Sequence, residues 1–182
     1  WGYVRTKTPL MANSDLYEIS GQWGHYKDGM FVLGDEEKDK EVFALRPMTC
    51  PFQFQAYLNR QRSYRDLPLR YNETSTLFRN ESSGEMHGLI RVRQFTISEG
   101  HLLVRLDQLQ EEIKGCIDLI NLFTKRLGLD EGISYRFSKW DPNNREKYMG
   151  SNEEWEHSQA VLKGILDNLG IEYEEADGEA AF

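Results

Sequence analysis

Two runs of alternating residues, STLFRNE (75–81) and LIRVRQFTI (89–97), flank the glycine-punctuated stretch SSGEMHG. They are rich in β-branched and aromatic residues and broken only by turn formers. That pattern predicts a long β-hairpin and commits the middle of the chain to an antiparallel sheet. Alternation then assigns faces. Leu89, Arg91, Arg93, Phe95 and Ile97 share one face of the return strand, and Glu99 and His101 join them if the period continues. Leu77, Arg79 and Glu81 share one face of the outgoing strand. Pairing Glu81 with Leu89 sets Arg79 opposite Arg91. Like charges that face each other on a sheet destabilise it by roughly 0.2–1 kcal/mol. An anion between two guanidinium forks turns that repulsion into a clamp. Phe95 suits stacking on a flat ring, and Glu81 suits accepting a hydrogen bond from an exocyclic amine. Phosphates plus a purine account for the whole set, so Arg79, Glu81, Arg91 and Phe95 predict a nucleotide site. The plain competitor is a solvent-exposed strand with scattered arginines.

Around the hairpin the pattern is mixed. The charge run GDEEKDKE (34–41) lies between MFVL and VFAL and reads as a solvated hairpin turn. Pro51 suits the first turn of a helix with a polar cap ahead of it, and Phe54, Tyr57 and Leu58 share one side. Residues 107 to 128 predict a long helix. Asp107 and Gln110 resemble a capping box, Leu109, Ile113, Cys116, Ile117, Ile120 and Phe123 form an apolar stripe, and Gly128 is the stop. Another helix follows Ser151, with Glu154 as capping partner, Trp155, Leu162, Ile165, Leu166 and Leu169 as its buried face, and Gly170 at its end; IEY (171–173) then reads as a strand. The expected class is α+β, an antiparallel sheet flanked by helices.

Composition narrows the function. A net charge of −8 argues against non-specific nucleic-acid binding by this segment. No apolar run approaches the ~18–20 residues that span a bilayer, which speaks against a membrane partner. The opening WGYVRTKTPLM lacks the charged and apolar regions of a signal peptide. Two cysteines, Cys50 and Cys116, are too few for a disulfide framework and suit a reducing compartment, so a cytoplasmic location is expected. The chain starts without methionine and stops at ADGEAAF, which reads as a piece of a longer protein.

The form R-x-E, a variable loop, then R-x-x-x-F resembles motif 2 of the class II aminoacyl-tRNA synthetases. The likeness extends in order through SGQWGHYKDGMF, LRPMTCP, RSYRDLPLRY, RNESSGEMHGLIRVRQFT and EEIKGC. These stretches resemble the catalytic core of the threonyl-tRNA synthetases over essentially the whole chain, so residues 1–182 are expected to be part of one such catalytic domain. The resemblance implies a ligase that joins threonine and ATP into threonyl-adenylate and pyrophosphate, then transfers threonine to tRNA(Thr). It implies that Arg79, the catalytic residue, holds the ATP α-phosphate and the amino-acid carboxylate. Glu81 would read the adenine amino group, Arg91 would hold the γ-phosphate, Phe95 would stack on adenine, and Mg²⁺ would help hold the phosphates. Cys50 and His101 match two of three protein ligands of a Zn²⁺ whose open position takes the substrate amino and hydroxyl groups. Without the resemblance, a buried cysteine and an unrelated histidine is the better reading of that pair. Met48 would line the amino-acid pocket, with core packing as competitor. Pro9 fits the proline of motif 1, at a homodimer interface, with an edge-strand proline as competitor. The helix that normally precedes motif 1 is absent, which leaves dimerisation of this piece in doubt. His25, His87 and His157 read as loop or surface residues.

Departures matter too. Where common members read F-T-Q-D-D-A-H, this chain reads FTISEGH. Ile97 replaces a glutamine of the substrate site, and Glu99 replaces an aspartate that accepts the threonine hydroxyl, keeping the charge on a longer arm. The third zinc histidine, motif 3, and the editing and anticodon-binding domains find no match here. The expectation is a catalytic piece that is inactive alone and binds zinc weakly. Competing readings are a seryl or prolyl enzyme, which shares motif 2 but need not share the cysteine, and a synthetase-derived paralogue that binds nucleotide or protein without aminoacylating.

Overall fold

The computed structural model describes residues 1–181, in two units, Trp1–Arg105 and a second that begins at Leu106. In the first unit the strand-like N-terminal stretch is broken into β1 (Val4–Arg5) and β2 (Met11–Asn13). The break has a local cause. The Thr8 N–H is donated to the Glu73 carboxylate at 3.2 Å rather than to a neighbouring strand, and Pro9 has no N–H to donate. Asn13 caps α1 (Ser14–Ile19) by accepting from the Asp15 N–H, and α2 (Gln22–Tyr26) follows. The expected hairpin around GDEEKDKE is present as β3 (Val32–Leu33) and β4 (Phe43–Leu45), which joins β2 in a sheet of order β2-β4-β3.

That sheet and its helices enclose Tyr17, Met30, Ala44 and Phe52, with Ala12, Leu16, Trp23, Tyr26 and Val32 packed against them. A buried side chain of this size contributes about 1.5–3 kcal/mol. The Tyr17 hydroxyl donates to the Ala44 carbonyl at 3.1 Å, and burial pushes its pKa up to about 12. Pro51 lies in the first turn of α3 (Cys50–Leu58), as its fixed φ favours. The buried side of this helix differs from the expected one. Pro51, Phe52 and Gln53 are buried, whereas Phe54 and Leu58 are exposed. Phe52 is drawn into the Tyr17 core and Gln53 into a polar network, which turns the Phe54 side outward.

The long hairpin forms from β5 (Leu69–Phe78) and β6 (Gln94–Leu103), with β1 added parallel to β5. Its ladder runs from Leu69 opposite Leu103 to Phe78 opposite Gln94, so Arg79, Glu81 and Arg91 fall in the connecting loop, residues 79–93, which carries a His87–Arg91 bridge. The register corrects the expected pairing. Leu77 faces Phe95 and Phe78 faces Gln94, and the Arg79 N–H donates to the Arg93 carbonyl at 2.9 Å. Arg79 therefore sits across from Arg93, not Arg91. The slide is by two residues, so every side chain within the strands keeps its face. Tyr71, Glu73, Ser75 and Leu77 are buried on that face, opposite the half-buried His101, Glu99, Ile97 and Phe95. Gly100 is needed where it stands, because a β-carbon there would lie 2.9 Å from the Tyr3 ring.

The second unit holds α4 (Leu109–Leu127), β7 (Tyr135–Lys139), α5 (Asn152–Asn168) and β8 (Tyr173–Asp177). β7 and β8 pair in parallel, which requires the crossover that α5 supplies. Ser151 and Glu154 form the expected capping box, which satisfies two otherwise orphaned N–H groups at the start of α5. The helix α4 starts later than the Asp107–Gln110 pattern suggested. A short 3₁₀ turn over Leu106–Gln108 moves the N-cap to Gln108, which makes no side-chain cap. Gly128 ends α4 in the left-handed region at φ 68°, as expected. Of the predicted α4 stripe Ile117 is buried, while Ile120 and Phe123 are exposed. The IEY strand starts only at Tyr173, because Ile171 still donates its N–H back to Leu166 at the end of α5. Trp140, Tyr148 and Ala180 form the core here, with Trp155 packed on them. The class is α+β; strands pair antiparallel except β1 with β5 and β7 with β8.

Candidate active site

Arg79 leaves the end of β5 and extends over the Phe95 ring of β6, with its guanidinium carbon 5.2 Å from the ring centroid. Its Nε is buried and has no hydrogen-bond partner among the described residues. A buried donor of a charged group left unpaired costs on the order of 1–3 kcal/mol or more. Arg79 and Phe95 line a cleft of about 440 Å³ with Tyr26, Glu81, Leu89, Ile90, Arg91 and Val92, a volume ample for a small ligand. Glu81 and Arg91 meet in that cleft. The Arg91 Nε and a terminal nitrogen both donate to Glu81 Oε2, at 3.0 and 2.7 Å. The Glu81 Oε1 accepts no hydrogen bond among the described residues. Arg91 also reaches Glu85 at 3.3 Å and remains half exposed. The Arg93 Nε donates to the Glu81 carbonyl at 2.9 Å. All four residues expected from alternation are thus brought to one cleft, with Glu81 and Arg91 paired to each other.

The other predicted residues gather around α3 and the far half of β6. Cys50 opens α3, and Phe54, one turn later, packs edge-on against the His101 ring at 6.2 Å and 86°. Glu99 lies on the same face of β6 as His101. Burial pushes the Cys50 thiol above its ordinary pKa, and the Glu99 charge pushes it further. Burial lowers the His101 pKa, with Glu99 and Glu73 opposing in part. The donor types suit zinc, a thiol and a neutral imidazole. Their number falls short, for the described residues contain no group of three His, Cys, Asp or Glu placed to hold a metal. Met48 is half-buried, and its sulfur accepts from Gln22 Nε2 at 3.5 Å; Gln22 is buried and its Oε1 has no partner among the described residues. His25, His87 and His157 are exposed, as expected.

The depressed His101 pKa has a measurable consequence. In the fold the ring resists protonation, so between its lowered and ordinary values the unfolded chain binds the proton first. Stability is therefore full above the ordinary histidine pKa and falls as pH drops below it. In an NMR titration the His101 ring protons should move at a midpoint below the ordinary histidine value, and a midpoint at or above that value contradicts this burial.

The framework beneath these residues is a buried ion pair that the sequence reading does not pick out. Arg46 follows β4 and Glu73 lies in β5; they are 1% and 3% exposed and 3.0 Å apart. Arg46 also donates to the Thr76 carbonyl, the Thr8 hydroxyl and the Pro9 carbonyl at 3.0, 2.7 and 3.0 Å. Glu73 accepts in addition from Gln53 of α3 at 2.7 Å and from the Thr8 hydroxyl at 2.8 Å. This network ties the β1–β2 connection, β4, α3 and β5 together directly beside Met48 and Cys50. One signal was available: alternation along RYNETSTLF puts Glu73 on the face of Leu77, an acidic residue aimed at a core.

Residues 31–153 match the family model described as "tRNA synthetase class II core domain (G, H, P, S and T)". A Threonine--tRNA ligase of Clostridium botulinum (strain Eklund 17B / Type B) is 71% identical over 181 residues; the match covers 100% of this chain and 28% of that protein. Among solved structures, a putative threonyl-tRNA synthetase from Aeropyrum pernix superposes with a TM-score of 0.82 at 31% identity, over 99% of this chain and 41% of that one. A structure titled as the RNA binding domain of threonyl-tRNA synthetase from Cryptosporidium parvum Iowa II gives 0.81 at 30% identity, over 99% and 43%. The chain thus spans roughly a quarter of the length of the curated relatives it matches (28%). With the family model matched across most of the chain, from the β3–β4 hairpin through the arginine cleft and into α5, the protein belongs to the tRNA synthetase class II core-domain family.

Proposed function

We propose that this chain carries the amino-acid-activating centre of a threonine–tRNA ligase, whose reaction joins threonine and ATP into threonyl-adenylate, releases pyrophosphate, and passes threonine to tRNA(Thr). The observation that carries this reading is the unpaired, buried Nε of Arg79 above Phe95. A guanidinium with a free donor in a cleft, backed by an aromatic ring, fits an anion attached to a flat base. Arg79 is the catalytic residue. It holds the α-phosphate and the threonine carboxylate within reach of each other, so that a carboxylate oxygen attacks phosphorus in line as pyrophosphate leaves. Glu81 accepts from the adenine amino group through Oε1, and Arg91 turns from Glu81 to the γ-phosphate. Phe95 stacks on adenine, and Mg²⁺ bound with ATP would help neutralise the phosphates.

Met48 and Glu99 line the amino-acid side, with Glu99 accepting from the threonine hydroxyl. Cys50 and His101 supply two of the donors for a zinc ion, which would give a Lewis-acid site for the threonine amino and hydroxyl groups. Zinc requires the Cys50 thiolate, so its raised pKa means that metal binding releases a proton. Homodimerisation belongs to the full-length protein. A cytoplasmic location is part of this reading and is compatible with the described residues, among which no helix is long and apolar enough to cross a membrane.

The test is zinc content together with threonine-dependent ATP–pyrophosphate exchange, on this chain and on the full-length protein. Zinc and exchange in the full-length protein support the ligase. Absence of exchange there, with ATP still bound, makes the protein a synthetase-derived paralogue that does not aminoacylate.

A further inference from the structure

Thr49 stands at the N-cap of α3 but does not cap it. Threonine at that position ordinarily accepts from the helix N–H groups. Here the fully buried hydroxyl donates across to Glu99 Oε1 on β6. Ser75 of β5, also buried, donates to the same oxygen at 3.3 Å. Both hydroxyls fall on one carboxylate oxygen, and Oε2 accepts from none of the described residues. Glutamate has one more rotatable bond than aspartate, so a free glutamate at this position would spread its carboxylate over several orientations. Two fixed donors on one oxygen remove that freedom and leave the second oxygen to a ligand.

We propose that Thr49 is a specificity-determining positioning residue: with Ser75 it anchors Glu99 through Oε1, so that Oε2 is presented to the side-chain hydroxyl of the amino-acid substrate. This rests on the reading of Glu99 as the hydroxyl acceptor given above. It also explains how a longer acid serves at this position, since the anchor takes up the reach of the extra methylene. Discrimination against an isostere without a hydroxyl then depends on a residue that never touches the substrate, because a carboxylate left loose no longer penalises an unpaired partner.

The test uses the full-length protein and amino-acid-dependent ATP–pyrophosphate exchange with threonine and with valine. Thr49→Val keeps the shape of the side chain and removes the donor. It is expected to raise the threonine KM about tenfold, to lower the threonine-over-valine ratio of kcat/KM by about the same factor, and to leave the ATP KM unchanged. Thr49→Ser restores both to within about twofold, and Ser75→Ala shifts them in the same direction by less, as its longer contact implies. An unchanged threonine KM and ratio in Thr49→Val overturns the proposal. So does a loss in Thr49→Val that raises both KM values together and is not repaired by serine, which marks a merely structural role. Glu99→Gln separates the two readings. If it alters threonine selectivity while Thr49→Val does not, the anchor fails and the acceptor stands; if neither does, the acceptor reading has failed as well.

Discussion

Replacing Arg79 with alanine is expected to lower threonine-dependent pyrophosphate exchange in the full-length protein by about 10²–10³-fold, the scale of losing one preorganised donor to developing charge. The loss should appear mainly in kcat if, as proposed, the guanidinium acts where charge builds on the transferring phosphate. Arg79→Lys should recover little, since an ammonium on a flexible stem cannot present the planar fork. The fold should survive, for the Arg79 Nε has no partner among the described residues and its removal leaves no buried acceptor unpaired. Retention of more than a tenth of the exchange rate in Arg79→Ala would sink the assignment.

The second large effect concerns stability. Arg46 and Glu73 are almost completely buried and form an ion pair with each other. Removing one leaves a buried charge uncompensated, so Glu73→Leu or Arg46→Met is expected to destabilise the protein by about 3–5 kcal/mol. The double substitution should lose clearly less than the sum of the singles, because neither charge then remains. The exposed pair of Lys114 and Asp118 on α4 is the control, and its removal should leave the urea midpoint unchanged. Urea denaturation of all four variants decides it; singles within about 1 kcal/mol of the parent contradict the account. Activity should fall with stability, since the same network holds the segment from Arg46 to Cys50 against β5.

The alternation of STLFRNE and LIRVRQFTI determined that Leu77 and Phe95 would share a face, because side-chain direction on a strand depends on parity alone. Arg79, Glu81 and Arg91 lie in the loop between the strands, and the loop brings them to the Phe95 cleft. Parity survives a slide of two residues, so the face was legible while the pairing partner was not. Gly128 and the Ser151–Glu154 box were equally local, and the ends of their helices follow from a few neighbouring atoms. Matters that depend on residues distant in the chain were decided by the tertiary structure. Which side of α3 is buried follows from Phe52 meeting Tyr17 and Gln53 meeting Glu73. The Arg46–Glu73 pair and the Thr49–Glu99 link join segments that no local period connects. Local backbone geometry determined which residues could stand together; burial of charge and hydroxyl, which only the folded packing sets, decided which of them bind one another and which donors are left for a ligand.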